Sequence, residues 1–522
     1  MSSRSNLLHT SSTYTSAYDD GRCTPAIEEP THPLNLWNTG RSESVSFPAQ
    51  LQAVEEAFDN IRQRDVQTQD RNGKEKAARH IHLPFKERLR HTTWAYFTLT
   101  MATGGLANVI HSVPFKAKWL HYIGLCFFFL NLALYLILWA MILTRFLSFP
   151  STFRASLVHP TESLFVPAVA VSFGTICITI VEYGASNTGQ WLTEVVWVLF
   201  WFNVALAFTL SITVYMILWS SLTFTIAQMT PIWIFPAYPL LIIGPHAANL
   251  AAKLRSSQRA LECIVGGFTV QGIGFLVSMT IYSAFVYRLM TQKLPADPSR
   301  PGMFVSVGPA AFTCSGTIGM ANTLPRAIGT GTDVTFMQTP SLLAGQILGV
   351  VGNWMALWLW GLALWFFFVS AISNIAPLYT HRRHPKQGEP KNIPFAMTWF
   401  SYVFPQTALI TATFRVADVF NIHALKVIGC VMTGILVAMW LFVVIMMSRA
   451  IYYKQILWPE KGEDREEGGY KRPVSRSKRS KQLQDIENHA QGGVSNTIDV
   501  GPTGSGTQRP SLNTRDNQSN LG

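Results

Sequence analysis

One uncharged stretch decides how this chain is organised: Ile393-Pro-Phe-Ala-Met-Thr-Trp-Phe-Ser-Tyr-Val-Phe-Pro-Gln-Thr-Ala-Leu-Ile-Thr-Ala-Thr-Phe414. It is long enough to cross a bilayer as a helix, which needs about 20 mostly apolar residues. Phe404 and Pro405 lie near its middle, and a proline inside a helix removes a backbone donor and kinks the helix. Because lipid offers no hydrogen bonds, a kinked helix is usually buried in protein or lines a cavity. The Phe404 ring is therefore either part of a packed core, which is the simpler interpretation, or a plug in a pore.

The composition places the protein in the lipid bilayer. Of its 522 residues 48% are hydrophobic and only 13% are charged, against about 25% charged in an average soluble domain. The first residues lack the basic and then apolar pattern of a signal peptide, so we expect insertion through internal helices. The net charge of +12 comes from basic residues in tails and loops. No nucleic-acid module is visible, so we expect these residues to orient the protein and to meet anionic lipid.

Ten apolar segments are long enough to span a bilayer, which predicts an all-α integral membrane protein. Their approximate limits are 93–113, 119–144, 163–182, 193–222, 231–252, 261–288, 302–324, 341–374, 394–414 and 426–453. This organisation gives a membrane domain over residues 86–456. The polar segments 1–85 and 457–522 are predicted to be disordered tails. An even number of spans places both tails on one side, and the basic residues that flank the first and last spans put that side in the cytoplasm.

The odd-numbered spans carry helix breakers partway along, whereas the even-numbered spans are longer and rich in Leu, Phe and Trp. The breakers are Gly104, Gly105, Gly174, Pro239, Gly308, Pro309 and Pro405. Weak internal repeats with interrupted helices indicate a transport path. The pattern predicts five helical hairpins, with broken inner helices around a central pore and intact outer helices against lipid. The alternative is that glycine and proline are simply more frequent in membrane helices.

The spans contain no cluster of side chains that would support catalysis. There is no nucleotide-binding motif, no His-Glu-x-x-His motif and no serine elbow, so we expect neither an enzyme nor an ATP-driven pump. The six cysteines include no Cys-x-x-Cys pair, so neither a metal site nor a disulfide framework is expected, and no cofactor is implied.

Acidic residues lie only at the ends of the spans. Glu182, Glu194 and Glu262 are all placed there, where a carboxylate can reach water. Proton pumps and cation transporters normally keep an acid near the bilayer midplane, so its absence favours an anion or a neutral substrate.

Uncharged hydroxyl groups are the candidates for lining an anion path, because they can line it without trapping the anion. The candidate residues are Thr100, Thr103, Thr175, Thr313 and Thr407. For each of them a hydrogen bond to its own helix backbone is the simpler interpretation. His246 is a candidate pH sensor, and the alternative is an interfacial histidine that faces the outer headgroups.

Three motifs resemble one family of membrane proteins. They are Thr93-Trp-Ala-Tyr-Phe-Thr-Leu-Thr-Met-Ala-Thr-Gly-Gly-Leu-Ala-Asn108, Pro301-Gly-Met-Phe-Val-Ser-Val-Gly-Pro-Ala-Ala-Phe-Thr313 and Trp399-Phe-Ser-Tyr-Val-Phe-Pro405. With the ten-span pattern they look like the tellurite-resistance/dicarboxylate transporter family over about residues 88–456. That family includes the slow anion channels of plant guard cells, fungal malic acid transport proteins and fungal sulfite efflux pumps. The resemblance is nearest to the malic acid branch.

This resemblance implies a central pore within five hairpins, a homotrimer with one pore per subunit, and Phe404 as the residue that blocks the pore. It implies a plasma-membrane carrier or channel for malate or other C4-dicarboxylates. The malic acid branch also implies proton coupling, for which the spans show no midplane carboxylate; a monoanion that brings its own proton would fit. Sulfite efflux is the first alternative, and a membrane scaffold or receptor without transport activity is a remote one. The prolines of the fifth span, Pro236, Pro239 and Pro245, are a departure from the family pattern.

Overall fold

The computed structural model describes residues 88–185, 187–221, 229–295, 297–329, 335–383, 395–453 and 455–457. Apart from Leu457, the two tails predicted from the sequence lie outside these residues. The α-helices that begin and end within the described residues are α1 Phe97–Ser112, α2 Lys118–Ser148, α3 Ser151–Val158, α4 Glu162–Phe165, α5 Ala168–Thr179, α6 Trp191–Ser221, α7 Tyr238–Ala251, α8 Ser257–Gln292, α9 Val307–Ile328, α10 Ser341–Arg383, α11 Phe404–Val419 and α12 His423–Tyr452.

Burial divides the long helices into two classes. Among the described residues, eight helical segments are long and apolar enough to cross a membrane. In the most apolar part of the outer helices, which are α2, α6, α8, α10 and α12, only 17–33% of the residues are buried. In the inner segments that contain α5, α7 and α9, 89–100% are buried. The shorter helices α1 and α11 are buried along most of their length as well. Apolar side chains that are left exposed on the outer helices need lipid around them.

The inner helices form a closed ring. Helix α1 packs against α5, α5 against α7, α7 against α9, α9 against α11, and α11 returns to α1. Each outer helix packs on the inner helix that precedes it in the chain. The described chain therefore has a buried inner layer with an axis through its centre, and an outer layer whose apolar surface faces outwards.

Four of the inner helices begin with a change of helix type. Short 3₁₀ segments, Trp94–Tyr96, Pro231–Ala237, Asp297–Ser306 and Met397–Tyr402, run directly or almost directly into α1, α7, α9 and α11. A 3₁₀ segment is a tighter helix with poorer hydrogen bonds and is used in short pieces. The interruptions of these inner helices are therefore at their amino-terminal ends.

The proline breakers lie at these junctions. Pro239 and Pro405 are in the first positions of α7 and α11, and Gly308 and Pro309 are in the first turn of α9. Proline is well tolerated at the first turn of an α-helix, where its missing N–H would have no helical partner.

The predicted breaks at Gly104, Gly105 and Gly174 are wrong, because α1 and α5 continue through them. Their role is close packing. A Cβ atom on Gly104 would lie 2.5 Å from Oγ1 of Thr175, and one on Gly105 would lie 2.7 Å from Oγ1 of Thr407. Small residues let membrane helices approach closely. These glycines therefore hold the inner ring together rather than interrupt its helices.

Buried polar side chains of the outer helices point at the ring. Asn131 and Asn203 are fully buried against Gly104 and Gly174, where an added Cβ would lie 2.6 and 2.9 Å from their Nδ2 atoms. Gln271 of the third outer helix donates from Nε2 to the carbonyl oxygen of Phe312 at 2.8 Å. Since one such amide lies in each of the first three outer helices, these side chains mark a structural repeat.

Tryptophans make the corresponding contacts in the last two outer helices. Nε1 of Trp360 donates to Oγ1 of Thr413 at 3.0 Å, and Nε1 of Trp440 donates to Oγ1 of Thr103 at 3.1 Å. Helices α8, α10 and α12 are thus tied to the ring by directional bonds, which specify how each of these three helices is rotated about its axis.

Two small elements were not expected from the sequence. Helix α3 fills the connection between α2 and the next inner segment. Strands β1 Thr335–Phe336 and β2 Thr339–Pro340 pair antiparallel, with Thr335 opposite Pro340 and Phe336 opposite Thr339. Met337 and Gln338 connect them with positive φ angles of 52° and 61°, as a two-residue hairpin turn requires.

Candidate functional site

Two cavities lie on the ring, and Phe404 separates them. The wide cavity has a volume of about 30 Å³ and the narrow cavity one of about 10 Å³. A site needs about 10–15 Å³ to hold one water molecule. Phe404 is the one side chain that lines both cavities, and it is only 3% exposed. The Phe404 ring therefore lies between the two cavities.

The wide cavity lies toward the carboxyl ends of the inner helices and is partly polar. Its lining consists of Gly105, Asn108, Ser112, Thr175, Ile178, Glu182, Ile242, Pro245, Asn249, Phe312, Ser315, Phe404, Thr407, Ala408 and Thr411. Most of its hydroxyl groups donate to carbonyl oxygens of their own helices, for example Thr175 to Ser172 at 2.8 Å and Thr407 to Phe404 at 2.6 Å. With its protons committed to the backbone, this lining offers few donors that would hold an anion tightly.

The narrow cavity lies toward the amino-terminal ends of the inner helices and is mostly apolar. Its lining consists of Thr98, Met101, Phe165, Ile232, Phe235, Tyr238, Val305, Phe400, Ser401, Phe404 and Pro405. Helices α7 and α11 begin beside it, at Tyr238 and Phe404. The N-terminus of a helix carries a partial positive charge, so anions are favoured at this level of the ring.

Phe404 belongs to an aromatic cluster between the two cavities. The Phe404 ring centroid lies 5.3 Å from that of Phe312 and 6.1 Å from that of Tyr238. The Tyr238 and Phe312 centroids are 6.2 Å apart. The Tyr238 hydroxyl donates to the carbonyl oxygen of Val305, which fixes that ring. Phe404 thus packs against one ring from α7 and one from α9.

Sequence reasoning identified Phe404 but missed Tyr238 and Phe312. A signal for Tyr238 was present, because Tyr238-Pro239 and Phe404-Pro405 are the same aromatic-proline pair at the start of two inner helices. Phe312 follows the Gly308-Pro309 pair by one helical turn, and only the packing of the ring shows that it meets the other two.

The threonines that were predicted to line the pore divide into two groups. Thr175 and Thr407 line the wide cavity. Thr100, Thr103 and Thr313 line neither of these two cavities, so a pore-lining role stays a prediction for them. Their hydroxyls serve packing between and within helices. Thr100 bonds to Ser172 Oγ at 2.8 Å, Thr103 accepts from Trp440, and Thr313 donates to the Pro309 carbonyl at 2.7 Å.

His246 is fully buried and lines neither cavity. Its ring meets the edge of Phe200 on an outer helix, with centroids 5.1 Å apart. The predicted interfacial position facing the headgroups is therefore wrong. The same burial removes the access to water that a pH sensor needs.

Glu182 does not reach bulk water, contrary to the expectation for an acid at a span end. It is 7% exposed and lines the wide cavity. A π-helical segment, Ile180–Gly184, carries it at the end of α5. One extra residue in the helical turn rotates the following side chains, and such bulges occur frequently at functional sites.

Three basic groups lie near Glu182, and we call the Glu182 end of the wide cavity its mouth. Lys116, Lys253 and Arg415 interact electrostatically with the Glu182 carboxylate. Nη2 of Arg415 donates to Oδ1 of Asn249, a cavity-lining residue, at 3.1 Å. Partial burial lowers the pKa of Lys116, and the Glu182 carboxylate opposes that shift. The mouth is thus cationic overall, which raises the local concentration of anions.

Comparisons with known proteins show the family to which the chain belongs. A family model described as voltage-dependent anion channel (SLAC1) matches residues 91–448. The malic acid transport protein of Schizosaccharomyces pombe is 30% identical over 390 residues, which are 73% of this chain and 84% of that protein. A putative malic acid transport protein of the same organism is 27% identical over 72% of this chain and 84% of its own length. The sulfite efflux pump of Trichophyton rubrum is 24% identical over 68% of this chain and 88% of its own length.

The family match spans well over half of the chain and all of the inner ring. It confirms the resemblance that the sequence motifs indicated, and the malic acid transport proteins are more similar than the sulfite pump. Together with the apolar helices of the outer layer, these matches show that the chain is a multi-pass integral membrane protein of the voltage-dependent anion channel family.

Proposed function

We propose that this protein transports small organic anions, with malate and related C4-dicarboxylates as its substrates. The observation that carries the proposal is the closed ring of inner helices, with two cavities that share the Phe404 side chain in their linings. A path of this shape is suited to passing a small solute, and its cationic mouth and helix N-termini favour anions. The names of the more similar relatives, malic acid transport proteins, favour malate.

The architecture that goes with this function has ten transmembrane helices in five hairpins around a central pore. Eight segments long enough to cross a membrane, the two shorter buried helices α1 and α11 and the closed contacts of the ring support it. The transport domain comprises residues 86–456. It lies in the plasma membrane, and both termini are in the cytoplasm. Family resemblance supports a homotrimer in which each subunit has its own pore.

In this mechanism Phe404 is the gate. When its ring leaves Phe312 and Tyr238, the wide and narrow cavities join into one path. An anion then passes between hydroxyl groups whose protons are mostly donated to their own helices, so it is bound weakly enough to leave again. This mechanism includes no covalent step.

Sulfite is the second candidate substrate. This second candidate rests on the sulfite efflux pumps, which match most of this chain at lower identity. It also rests on the cavity lining, which has no pair of groups that is specific for two carboxylates. A dicarboxylate presents a charged group at each end of the molecule, whereas sulfite needs one polar site.

Purified full-length protein in liposomes tests the assignment through uptake of labelled malate and of sulfite, measured side by side. We expect malate uptake well above that of protein-free liposomes and little sulfite uptake. Sulfite uptake without malate uptake would show that sulfite, the second candidate, is the substrate. Uptake of neither anion would contradict the proposed function altogether.

A further inference from the structure

Tyr238 is buried where α7 contacts both α9 and α11. It is the first residue of α7, is 1% exposed and lines the narrow cavity. Its ring contacts Phe404 of α11 and Phe312 of α9. It is also stacked on Phe235 in the preceding 3₁₀ segment, with centroids 5.2 Å apart and planes inclined by 20°. The ring is thus surrounded by other rings, and its buried hydroxyl group needs a hydrogen-bond partner of its own.

The partner of this hydroxyl is a carbonyl group that lacks its α-helical donor. In an α-helix the carbonyl of residue i accepts a hydrogen bond from the N–H of residue i+4. For Val305 that residue is Pro309, which has no N–H. The Tyr238 hydroxyl donates to the Val305 carbonyl oxygen instead. Since Val305 lies just before α9, this bond joins α7 to the start of the neighbouring inner helix.

Gly308 makes room for this bond. A Cβ atom on Gly308 would lie 2.7 Å from Cζ of Tyr238 and 2.9 Å from its Cε1. A glycine allows such a close approach because it has no side chain. The Gly308-Pro309 pair therefore has two effects at this junction: the proline frees the Val305 carbonyl, and the glycine admits the end of the tyrosine ring.

Resting on the proposed function, in which Phe404 is the gate, we infer that Tyr238 is the positioning residue of that gate. The hydroxyl bond holds the Tyr238 ring in one orientation, and the Phe404 ring packs against it. Without the bond only apolar contacts hold the ring, so it can turn and weaken its contact with Phe404. The open arrangement, in which Phe404 has left, loses no such contact. The bond therefore shifts the equilibrium toward the packed arrangement, and Phe404 moves while Tyr238 stays.

The test measures malate uptake by full-length protein in liposomes for the wild type and for Tyr238→Phe, each with and without Phe404→Ala. Tyr238→Phe keeps the ring and removes only the hydroxyl. Its maximal uptake rate should rise about fivefold, equivalent to about 1 kcal/mol, the usual net contribution of one hydrogen bond. The half-saturating malate concentration should stay the same, because the fraction of open pores changes and the groups that meet the anion do not. In the Phe404→Ala background the substitution should have little effect.

Tyr282→Phe is the matched control. Tyr282 on α8 is 4% exposed, and its hydroxyl donates to the next carbonyl oxygen along the chain, that of Ser306. Its ring packs on Phe366 of α10, with centroids 4.7 Å apart, and lines neither of the two cavities. The control therefore removes the same kind of bond at the same junction without touching Phe404. Uptake by Tyr282→Phe should equal that of the wild type.

A further variant separates positioning of the ring from stability of the fold. Tyr238→Phe takes a donor from the buried Val305 carbonyl, which lowers stability. Adding Pro309→Ala supplies an N–H at the α-helical donor position for that carbonyl. The double variant Tyr238→Phe/Pro309→Ala should regain part of the lost melting temperature in detergent. It should still show raised uptake, because its ring is not anchored. It also provides the test if Tyr238→Phe alone does not insert.

Three results would overturn the inference and leave the transport function intact. The first is wild-type uptake by a normally inserted Tyr238→Phe protein, and the second is an equal rise in Tyr282→Phe. The third is a rise that persists in the Phe404→Ala background or disappears when Pro309→Ala restores stability, because the effect would then not act through the gate. Absence of malate uptake by the wild type would instead contradict the proposed function, and the inference with it.

Discussion

At the scale of single residues, the protein buries a complete ion pair between α2 and α4. Nη1 of Arg145 lies 2.6 Å from Oε1 of Glu162, and Nη2 lies 3.4 Å from Oε2, with both side chains 0–1% exposed. Arg145 also donates to the carbonyl oxygen of Thr92. Breaking a buried pair leaves an uncompensated charge, whereas replacing both members can be nearly neutral. The pair therefore fixes how α2 meets the start of the ring.

The first prediction concerns this pair. Arg145→Met should lower the free energy of unfolding by about 3–5 kcal/mol, because Glu162 is left buried and charged. The double variant Arg145→Met/Glu162→Gln should recover much of that loss. Thermal unfolding in detergent measures both. The control is Arg259→Met, which removes the exposed pair with Glu194 and should change stability by less than about 1 kcal/mol. Equal losses in the single and double variants would contradict the account.

Both buried acids escaped prediction for one physical reason. Glu162 and Glu182 lie at opposite ends of the same inner segment, and sequence position at a span end suggests contact with water. The sequence cannot show that the surrounding outer helices and connections extend far enough to cover these ends. Phe404 is the opposite case, because the sequence itself shows the aromatic-proline pair that singles out this residue. Only the rings that pack against it, those of Tyr238 and Phe312, had to be found in the structure.

At the scale of elements, close contacts between inner helices explain why their small residues lie where they do. An added Cβ on Gly104 would meet Thr175 of the neighbouring inner helix and Asn131 of the outer helix. Gly272 on α8 has no atom within 4 Å of the corresponding position. The two glycines are therefore a matched pair, one inside a tight contact and one outside.

The second prediction follows from that pair. Gly104→Val should destabilise the protein by about 1–3 kcal/mol, because overpacking forces the helices apart. Gly272→Val should change stability little. The difference in melting temperature between the two variants in the same detergent measures the effect. Equal melting temperatures would show that α1 and α5 do not depend on close approach at this point.

The helix limits were predictable from hydropathy, but the positions of the interruptions were only partly so. The ten apolar segments agree with the observed helices to within a few residues at most ends, because long apolar runs leave a bilayer-spanning helix as the only way to satisfy the backbone. Pro239 and Pro405 marked real junctions because proline acts on its own backbone. Gly104 and Gly174 misled the prediction because a glycine signals either a break or a close contact, and only the partner helix distinguishes them.

At the scale of the whole molecule, the exposed surface of the outer helices is strongly apolar. Trp119, Leu136, Trp219, Trp358 and Ile445 are each more than half exposed. Apolar patches of this kind on a folded protein mark contact with lipid or with another subunit. The inner layer could be foreseen from the alternation of span types, whereas the ring closure between the first and last inner helices could not, because it joins the two ends of the domain.

The third prediction concerns assembly. If part of this apolar surface forms a subunit interface, native mass spectrometry from mild detergent should give a homotrimer with lipid bound at its contacts. Phe404→Ala should leave the trimer unchanged, because its ring lies inside the subunit. A monomer that still transports malate would contradict the trimer and leave the pore within each subunit as the functional unit.

The central claim is that Phe404 closes a path through the ring, and malate uptake by Phe404→Ala beside Phe414→Ala tests it most directly. Both residues lie on α11 and are at most 3% exposed, but Phe414 packs toward Gly429 of α12 and lines neither cavity. We expect uptake by Phe404→Ala to exceed that of the wild type about tenfold, equivalent to a barrier lower by about 1.4 kcal/mol. Phe414→Ala should show no increase. Unchanged or reduced uptake in a normally inserted Phe404→Ala protein, or equal increases in both variants, would contradict the gate.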